Sequence, residues 1–336
     1  MASTRITELL GTTVPIIAAP LGLGTTPAFL GAIAAAGAIG FVGLTHPSPD
    51  EIGPRVSAVS ETTGGRFGVN FSLIADKREN LRRALDAGAR IVSLWQDDPA
   101  PYARIAKDAG ALVLWTVSGP EEAARASDLG VDVVVAQGSE AGGHLVGLTP
   151  SLVNIPAVVD AARGVPVAAA GGIADGRGLA AALALGAEAV WLGTRFVASR
   201  ECALHDGYKA RIVEADPGDA VETTLYDVGW PDSPHRVLRN DLIEAWERAG
   251  RPASGARAGE GEVVGRQADG TAVPRYHIQS PAVGFEGAFE EAWSEMALYA
   301  GQSAGLVRDV PGVAEIVERL MREAGEAAGA AARILR

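Results

Sequence analysis

Between residues 15 and 192 the chain alternates short, almost unbroken apolar runs with segments in which Ala is mixed with Arg, Asp and Glu. The apolar runs fall at residues 15–19, 38–43, 67–71, 90–94, 111–117, 131–136, 165–170 and 189–192. Continuous runs of this length, bounded by turn residues, read as parallel strands buried on both faces. The mixed segments between them read as helices. Several helices close on the same punctuation, Asp86-Ala87-Gly88, Asp108-Ala109-Gly110, Asp128-Leu129-Gly130 and Leu185-Gly186-Ala187, where glycine can supply a left-handed cap. Eight strand–helix units within about 200 residues suit a closed α/β barrel, the (β/α)8 TIM barrel, better than a doubly wound sheet.

Residues 16–44 are long and poor in charge, which raises a membrane span as an alternative. Pro20, Gly22, Gly24 and Pro27 break the stretch into a strand, a turn, a helix over 27–36 and a second strand, so a βαβ unit is the better reading. After Ser199 the rhythm is lost. Residues 205–297 are expected to form an inserted, mainly helical and loop subdomain that covers the substrate, with 1–204 and 298–336 forming the barrel. Within the insert, the polar, glycine-rich residues 251–261 read as a mobile loop. An amphipathic helix over 313–324 is expected to pack back on the barrel as its last element.

Composition narrows the function. With 336 residues and a net charge of −12, there is no excess of Lys and Arg to neutralise phosphates, so nucleic acid is not an expected partner. The single cysteine, Cys202, excludes an internal disulfide and a thiolate metal cage. His205, His235 and His277 lack metal-ligand spacing, and no metal site is expected. The first ten residues have no signal-peptide pattern, which favours a cytoplasmic location with no membrane partner. A homodimer is left open.

In barrels of this kind chemistry sits at the C-terminal ends of the strands. After the sixth run comes Gln137-Gly138-Ser139-Glu140-Ala141-Gly142-Gly143-His144, with three glycines, a carboxylate and an imidazole. Glycine lets backbone approach a ligand closely, and imidazole suits proton transfer near neutrality. His144 is the catalytic candidate. Glu140 is expected to accept backbone N–H groups and hold the loop. Gly171-Gly172 follows the seventh run and Gly193-Thr194 the eighth, with Gly172 and Gly193 21 positions apart. Paired there, they suit the phosphate pocket that such barrels build from their last two loops, although tight turns alone also use glycine. His46 is placed equally well at the mouth or in a surface turn. Tyr299, Trp230 and Trp293 are candidates either for pocket walls or for core packing.

The loop ending at His144, then Ala170-Gly171-Gly172-Ile173-Ala174-Asp175-Gly176, Gly193-Thr194-Arg195-Phe196 and Ala300-Gly301-Gln302-Ser303-Ala304-Gly305-Leu306 together resemble the nitronate monooxygenases, formerly 2-nitropropane dioxygenases. The resemblance implies an FMN-dependent flavoprotein that oxidises alkyl nitronates with O2 to a carbonyl compound and nitrite. It implies a small-molecule substrate and O2 as partners. Carried over residue by residue, Asn70 and Gln137 would contact the flavin ring or ribityl chain, and Gly142 would lie against the cofactor. Ala19 and Pro20 would flank the ring system. Gly171, Gly172, Trp191, Leu192, Gly193 and Thr194 would serve the phosphate side, and His144 matches the catalytic histidine. Thr116 is a departure, because relatives commonly carry Lys or Gln there, and such a residue tunes the reduced flavin. The same motifs resemble FMN-dependent enoyl-ACP reductases, so NAD(P)H-dependent reduction of an enoyl thioester or a quinone stands as the alternative. A non-catalytic flavin- or phosphate-binding barrel would leave the histidine unexplained.

Overall fold

Eight parallel strands follow one another around a closed barrel, in chain order. The computed structural model describes residues 3–335. Its first strands are β1 (Ile16–Ala18), β2 (Ile39–Gly43), β3 (Gly68–Ser72), β4 (Ile91–Trp95), β5 (Leu112–Val117) and β6 (Val133–Gln137). A two-residue strand, β7 (Gly143–His144), precedes β8 (Val167–Ala170) and β9 (Ala189–Leu192). The barrel runs β1-β2-β3-β4-β5-β6-β8-β9 and closes where Ile17 of β1 sits opposite Trp191 of β9. The eight runs read from the sequence are these eight strands.

Strand side chains alternate between the two faces, and both faces here are apolar, which is why the runs are unbroken. Ile17, Phe41, Leu114, Val135 and Ala168 form the inner cluster. Their strand neighbours Val42, Val69, Val92, Val134 and Val190 belong to the outer cluster under the helices. A short helix, Arg5–Leu10, adds Ile6 and Leu10 to the inner cluster and closes the barrel floor. Gly88, Gly110, Gly130 and Gly186 have positive φ at the helix ends, as the repeated punctuation requires.

Toward the C-terminal ends the interior turns polar. Asn70, Ser93 and Thr116 lie between residues of the outer cluster and Gln137 follows one, Ala136, so alternation points them inward. Asn70 donates to the Ser93 hydroxyl at 3.3 Å. This polar layer forms the floor of the mouth.

The insert holds the helices Asp206–Glu214 and Asp241–Arg248. To the helices and loops expected there the structure adds strands β10 (Ala220–Thr223), β11 (His235–Leu238), β12 (Val263–Arg266), β13 (Ala272–Pro274) and β14 (Glu286–Gly287). They make two three-stranded sheets, β10-β11-β7 and β13-β12-β14. Each strand is only two to four residues long, so no period of two shows in the sequence. The loop expected to be mobile is pinned instead: the buried Arg257 guanidinium donates to the Leu225 carbonyl, pairs with Asp227 and Glu260, and lies over the Tyr276 ring.

The last helix, Val313–Ile334, buries Ile316, Val317 and Leu320 and packs against the helix Gly176–Ala184. It runs beyond the expected end, and its last turn is exposed. Among the described residues no helix is long and apolar enough to cross a membrane.

Candidate active site

His144 is held over the mouth from two directions. As β7 it pairs with His235 of β11, so an edge of the inserted sheet carries it. From below, the Gln137 amide brackets the same segment: its Nε2 donates to the His144 carbonyl at 3.2 Å and its Oε1 accepts the Val146 N–H at 2.8 Å. Gln137 was expected at the flavin; the structure commits its amide to the main chain around His144. Arg236 of β11 braces the loop further, with Nε and Nη2 donating to the Ser139 carbonyl at 3.1 and 2.9 Å.

The imidazole stands in an aromatic box. It stacks on Trp230 with centroids 4.1 Å apart, faces the edge of Trp95 at 6.1 Å, and has His235 and Tyr299 at 5.3 and 5.4 Å. Nε2 is buried without a hydrogen-bond partner. Burial pushes the His144 pKa down to about 3, with smaller contributions from His235 and His46. His144 is therefore neutral at physiological pH. His235 is fully buried and satisfied, with Nδ1 against the Ser233 carbonyl and Nε2 accepting the Tyr226 N–H, so its role is to hold the sheet. His46 lies exposed at the rim, 6.3 Å from the Trp230 ring. Trp293 stacks on His205 instead, away from this cluster.

The other end of the mouth is built from glycines that do different work. Gly142 needs its missing side chain because the chain crosses there: a Cβ would lie 2.4 Å from the Gly301 nitrogen. Gly171 likewise packs on the Gly138 carbonyl and the Ala141 nitrogen. These two were expected to admit a cofactor; their need for glycine comes from the protein itself. Gly172 and Gly193 differ. The nearest atom to a Cβ on Gly172 is 3.5 Å away and on Gly193 3.8 Å, and neither N–H has a partner among the described residues. Gly172 also has φ +73°, a conformation that L side chains avoid. Two N–H groups without protein partners, where a Cβ would meet only ordinary van der Waals contact, suit an anionic oxygen. The Glu140 carboxylate, whose Oε1 is the nearest atom, at 3.5 Å, to a Cβ on Gly172, accepts the Ser151 N–H and hydroxyl and so holds the loop as expected.

Ala19 flanks Gly193 and Pro20 flanks Gly43, so both line the mouth between β2 and β9. Asn70 and Thr116 lie in its polar floor. Thr194 accepts the Gly301 N–H on its hydroxyl at 2.9 Å, and Gln302 donates its N–H to the Glu140 carbonyl, so the segment 299–306 ties the two loops together. Trp191 was expected on the phosphate side, but its ring packs inside the barrel on Phe41, centroids 4.7 Å apart. Leu192 points outward to the helices, and its carbonyl accepts the Ala19 N–H. Trp95 and His235 gave no sequence signal, because one ends an ordinary apolar strand and the other reaches His144 only through a long-range pairing.

A groove of about 530 Å³ lies away from this mouth, between the helices Gly176–Ala184 and Val313–Ile334. Its cations are spoken for: Arg195 and Arg319 pair with Asp309, and Arg177 with Asp175. Among the described residues no cluster of His, Cys, Asp and Glu could hold a metal.

The chain is 34% identical over 258 residues to the (3aS,4S,5R,7aS)-5-hydroxy-7a-methyl-1-oxo-octahydro-1H-indene-4-carboxyl-CoA dehydrogenase of Mycobacterium tuberculosis, covering 76% of this chain and 71% of that protein. FabK from Thermotoga maritima superposes with a TM-score of 0.84 at 31% identity, over 99% of this chain and 100% of that one. A nitroalkane oxidase from Streptomyces ansochromogenes superposes with a TM-score of 0.75 at 25% identity, over 97% and 100%. Residues 3–83 and 73–323 match the nitronate monooxygenase family model, and the chain belongs to that family of oxidoreductases.

Proposed function

We propose that the protein is an FMN-dependent nitronate monooxygenase, which oxidises alkyl nitronates with O2 to a carbonyl compound and nitrite. The observation that supports the reading is the neutral His144, with its Nε2 buried and unpartnered, at the same mouth as the unpartnered N–H groups of Gly172 and Gly193. When bound, FMN supplies the redox chemistry, taking electrons from the substrate and passing them to O2. Gly172 and Gly193 would hold its phosphate through their N–H groups, with Ala19, Pro20, Asn70 and Thr116 lining the mouth between phosphate and histidine.

The pKa of His144 selects between substrates. An imidazole whose conjugate acid has a pKa of about 3 drives proton abstraction from a neutral nitroalkane poorly. A nitronate has already lost that proton. His144 then serves as a neutral, water-shielded contact for the anion, and Trp230 and Trp95 exclude solvent from it. Nitronate is therefore the favoured substrate, and nitroalkane a poor one.

A second reading has its own support in the likeness to a carboxyl-CoA dehydrogenase and to FabK. In that reading the same mouth takes an acyl thioester, and the flavin is reduced by NAD(P)H. Anaerobic mixing separates the two. The FMN-loaded protein is expected to lose its yellow colour with propionate-3-nitronate and to keep it with NADH or NADPH; bleaching by a nicotinamide alone would replace the first reading with the second.

A further inference from the structure

The chain has five tyrosines, and four of their hydroxyls are engaged. Tyr208 donates to the Tyr299 carbonyl, Tyr226 to the Glu295 carbonyl, Tyr276 to the Ala258 carbonyl, and Tyr102 accepts the Lys77 N–H. The hydroxyl of Tyr299 is buried and has no partner. Its ring centroid lies 5.4 Å from that of His144, whose Nε2 is also buried and unpartnered. Buried polar atoms without partners are uncommon, and two in adjacent rings point to a ligand atom that satisfies both.

The backbone under each ring is held in place. The Tyr299 backbone is fixed by the bond from Tyr208 and by a bridge to Val237 of β11. The His144 backbone is fixed by Gln137 and by its pairing with the same β11. The two side chains thus hang from neighbouring positions on one strand, at a fixed separation.

We propose that the Tyr299 hydroxyl and His144 Nε2 both donate to one oxygen of the substrate, so that the site takes a planar oxyanion conjugated to the carbon that is oxidised. Two neighbouring donors, each with its polar atom buried, favour an anionic oxygen over a neutral one. Burial raises the Tyr299 pKa above its ordinary 10, so the phenol remains a donor across the working pH range. His144 donates in the tautomer that carries its proton on Nε2. This assignment rests on the mouth being the substrate site, and it adds the atom by which substrate is recognised.

The test uses the FMN-loaded protein and Tyr299→Phe, which keeps the ring and removes the donor. Two readouts separate the grip from the overall function: binding of propionate by calorimetry, as an unreactive planar oxyanion shaped like ethylnitronate, and kcat/KM for ethylnitronate itself. The variant is expected to keep its FMN and melting temperature. It should bind propionate about 10- to 100-fold more weakly and lose kcat/KM by a similar factor, the usual worth of a hydrogen bond to a charged acceptor. Combined with His144→Asn, the double variant should lose less than the product of the single losses, because both donors act on one atom. Wild-type protein that binds no propionate, or a Tyr299→Phe variant that binds it equally well, overturns the grip. Weakened propionate binding in a protein with no nitronate turnover supports the grip and overturns only the proposed reaction.

Discussion

His144 and Trp230 stack face to face, 18° from parallel, and this contact joins the barrel loop to the segment between β10 and β11. Trp230 comes from the segment between β10 and β11, so the insert itself keeps water from the imidazole. Trp230→Ala should therefore undo the leading cause of the low His144 pKa, which is burial. The pKa is expected to rise from about 3 toward the ordinary 6.5, measured by NMR titration of the imidazole carbon-bound protons. A value unchanged by the substitution would mean that the shielding comes from the barrel side.

The low pKa also fixes how turnover responds to pH. Because His144 stays neutral from pH 8 down to pH 5, kcat/KM for a nitronate should show no histidine titration in that range. Nitroalkane should be turned over more slowly at every pH, since the imidazole is a weak base. His144→Asn should spare FMN binding and fold. A nitroalkane profile with a limb near pH 6.5 that the variant lacks would return His144 to the role of general base.

Stability carries the same signature. His144 and His235 both have folded pKa values below the unfolded value of about 6.5, chiefly through burial. Below that pH the unfolded chain binds protons that the native fold does not accept. The sign follows: stability is full above pH 6.5 and is lost as pH falls toward the folded pKa values, by up to about 1.4 kcal/mol per pH unit for each histidine. Urea midpoints measured from pH 7 to pH 5 should fall, and His144→Asn should flatten the slope. The lowered carboxylates Glu51, Asp76 and Glu260 act only at more acid pH, so they do not mask this window.

The barrel was legible because all-parallel strands are apolar on both faces, so each appears as an unbroken run bounded by glycine. The insert was not. Val221 and Val237 occupy strands only four residues long, beside Glu222 and Arg236, whose charges find partners through the fold rather than the local pattern. The candidate site was legible in position because its residues follow strand ends: Glu140 and His144 after β6, Gly172 after β8 and Gly193 after β9. What the sequence could not rank was which glycines are crowded by backbone, since Gly142 and Gly193 look alike until the chain crossing at Gly301 is seen. Gln137 has a structural role that its position alone does not reveal. An amide at a strand end suits a ligand, but here the peptide groups of His144 and Val146 take both of its ends.

That distinction between glycines gives a paired test. At position 142 an added methyl would meet the Gly301 nitrogen at 2.4 Å and the Ala300 carbonyl carbon at 2.5 Å, and backbone cannot move aside cheaply. Gly142→Ala should destabilise the cofactor-free protein by about 1–3 kcal/mol, the usual result of overpacking a filled site. At position 193 the nearest atoms are the Ala19 and Leu21 side chains at 3.8 and 3.9 Å, so a larger residue fits the empty mouth. Gly193→Asp should leave the cofactor-free melting temperature within a degree or so, because surface substitutions without a clash cost little. It should nevertheless abolish FMN retention, since a carboxylate would stand where an N–H group meets the phosphate. Measured by denaturation of the cofactor-free proteins and by FMN released on heating, the two variants should thus fail in opposite assays. A Gly193→Asp protein that stays yellow would remove the phosphate from this loop, and a Gly142→Ala protein as stable as the parent would show that the crossing at Gly301 can open.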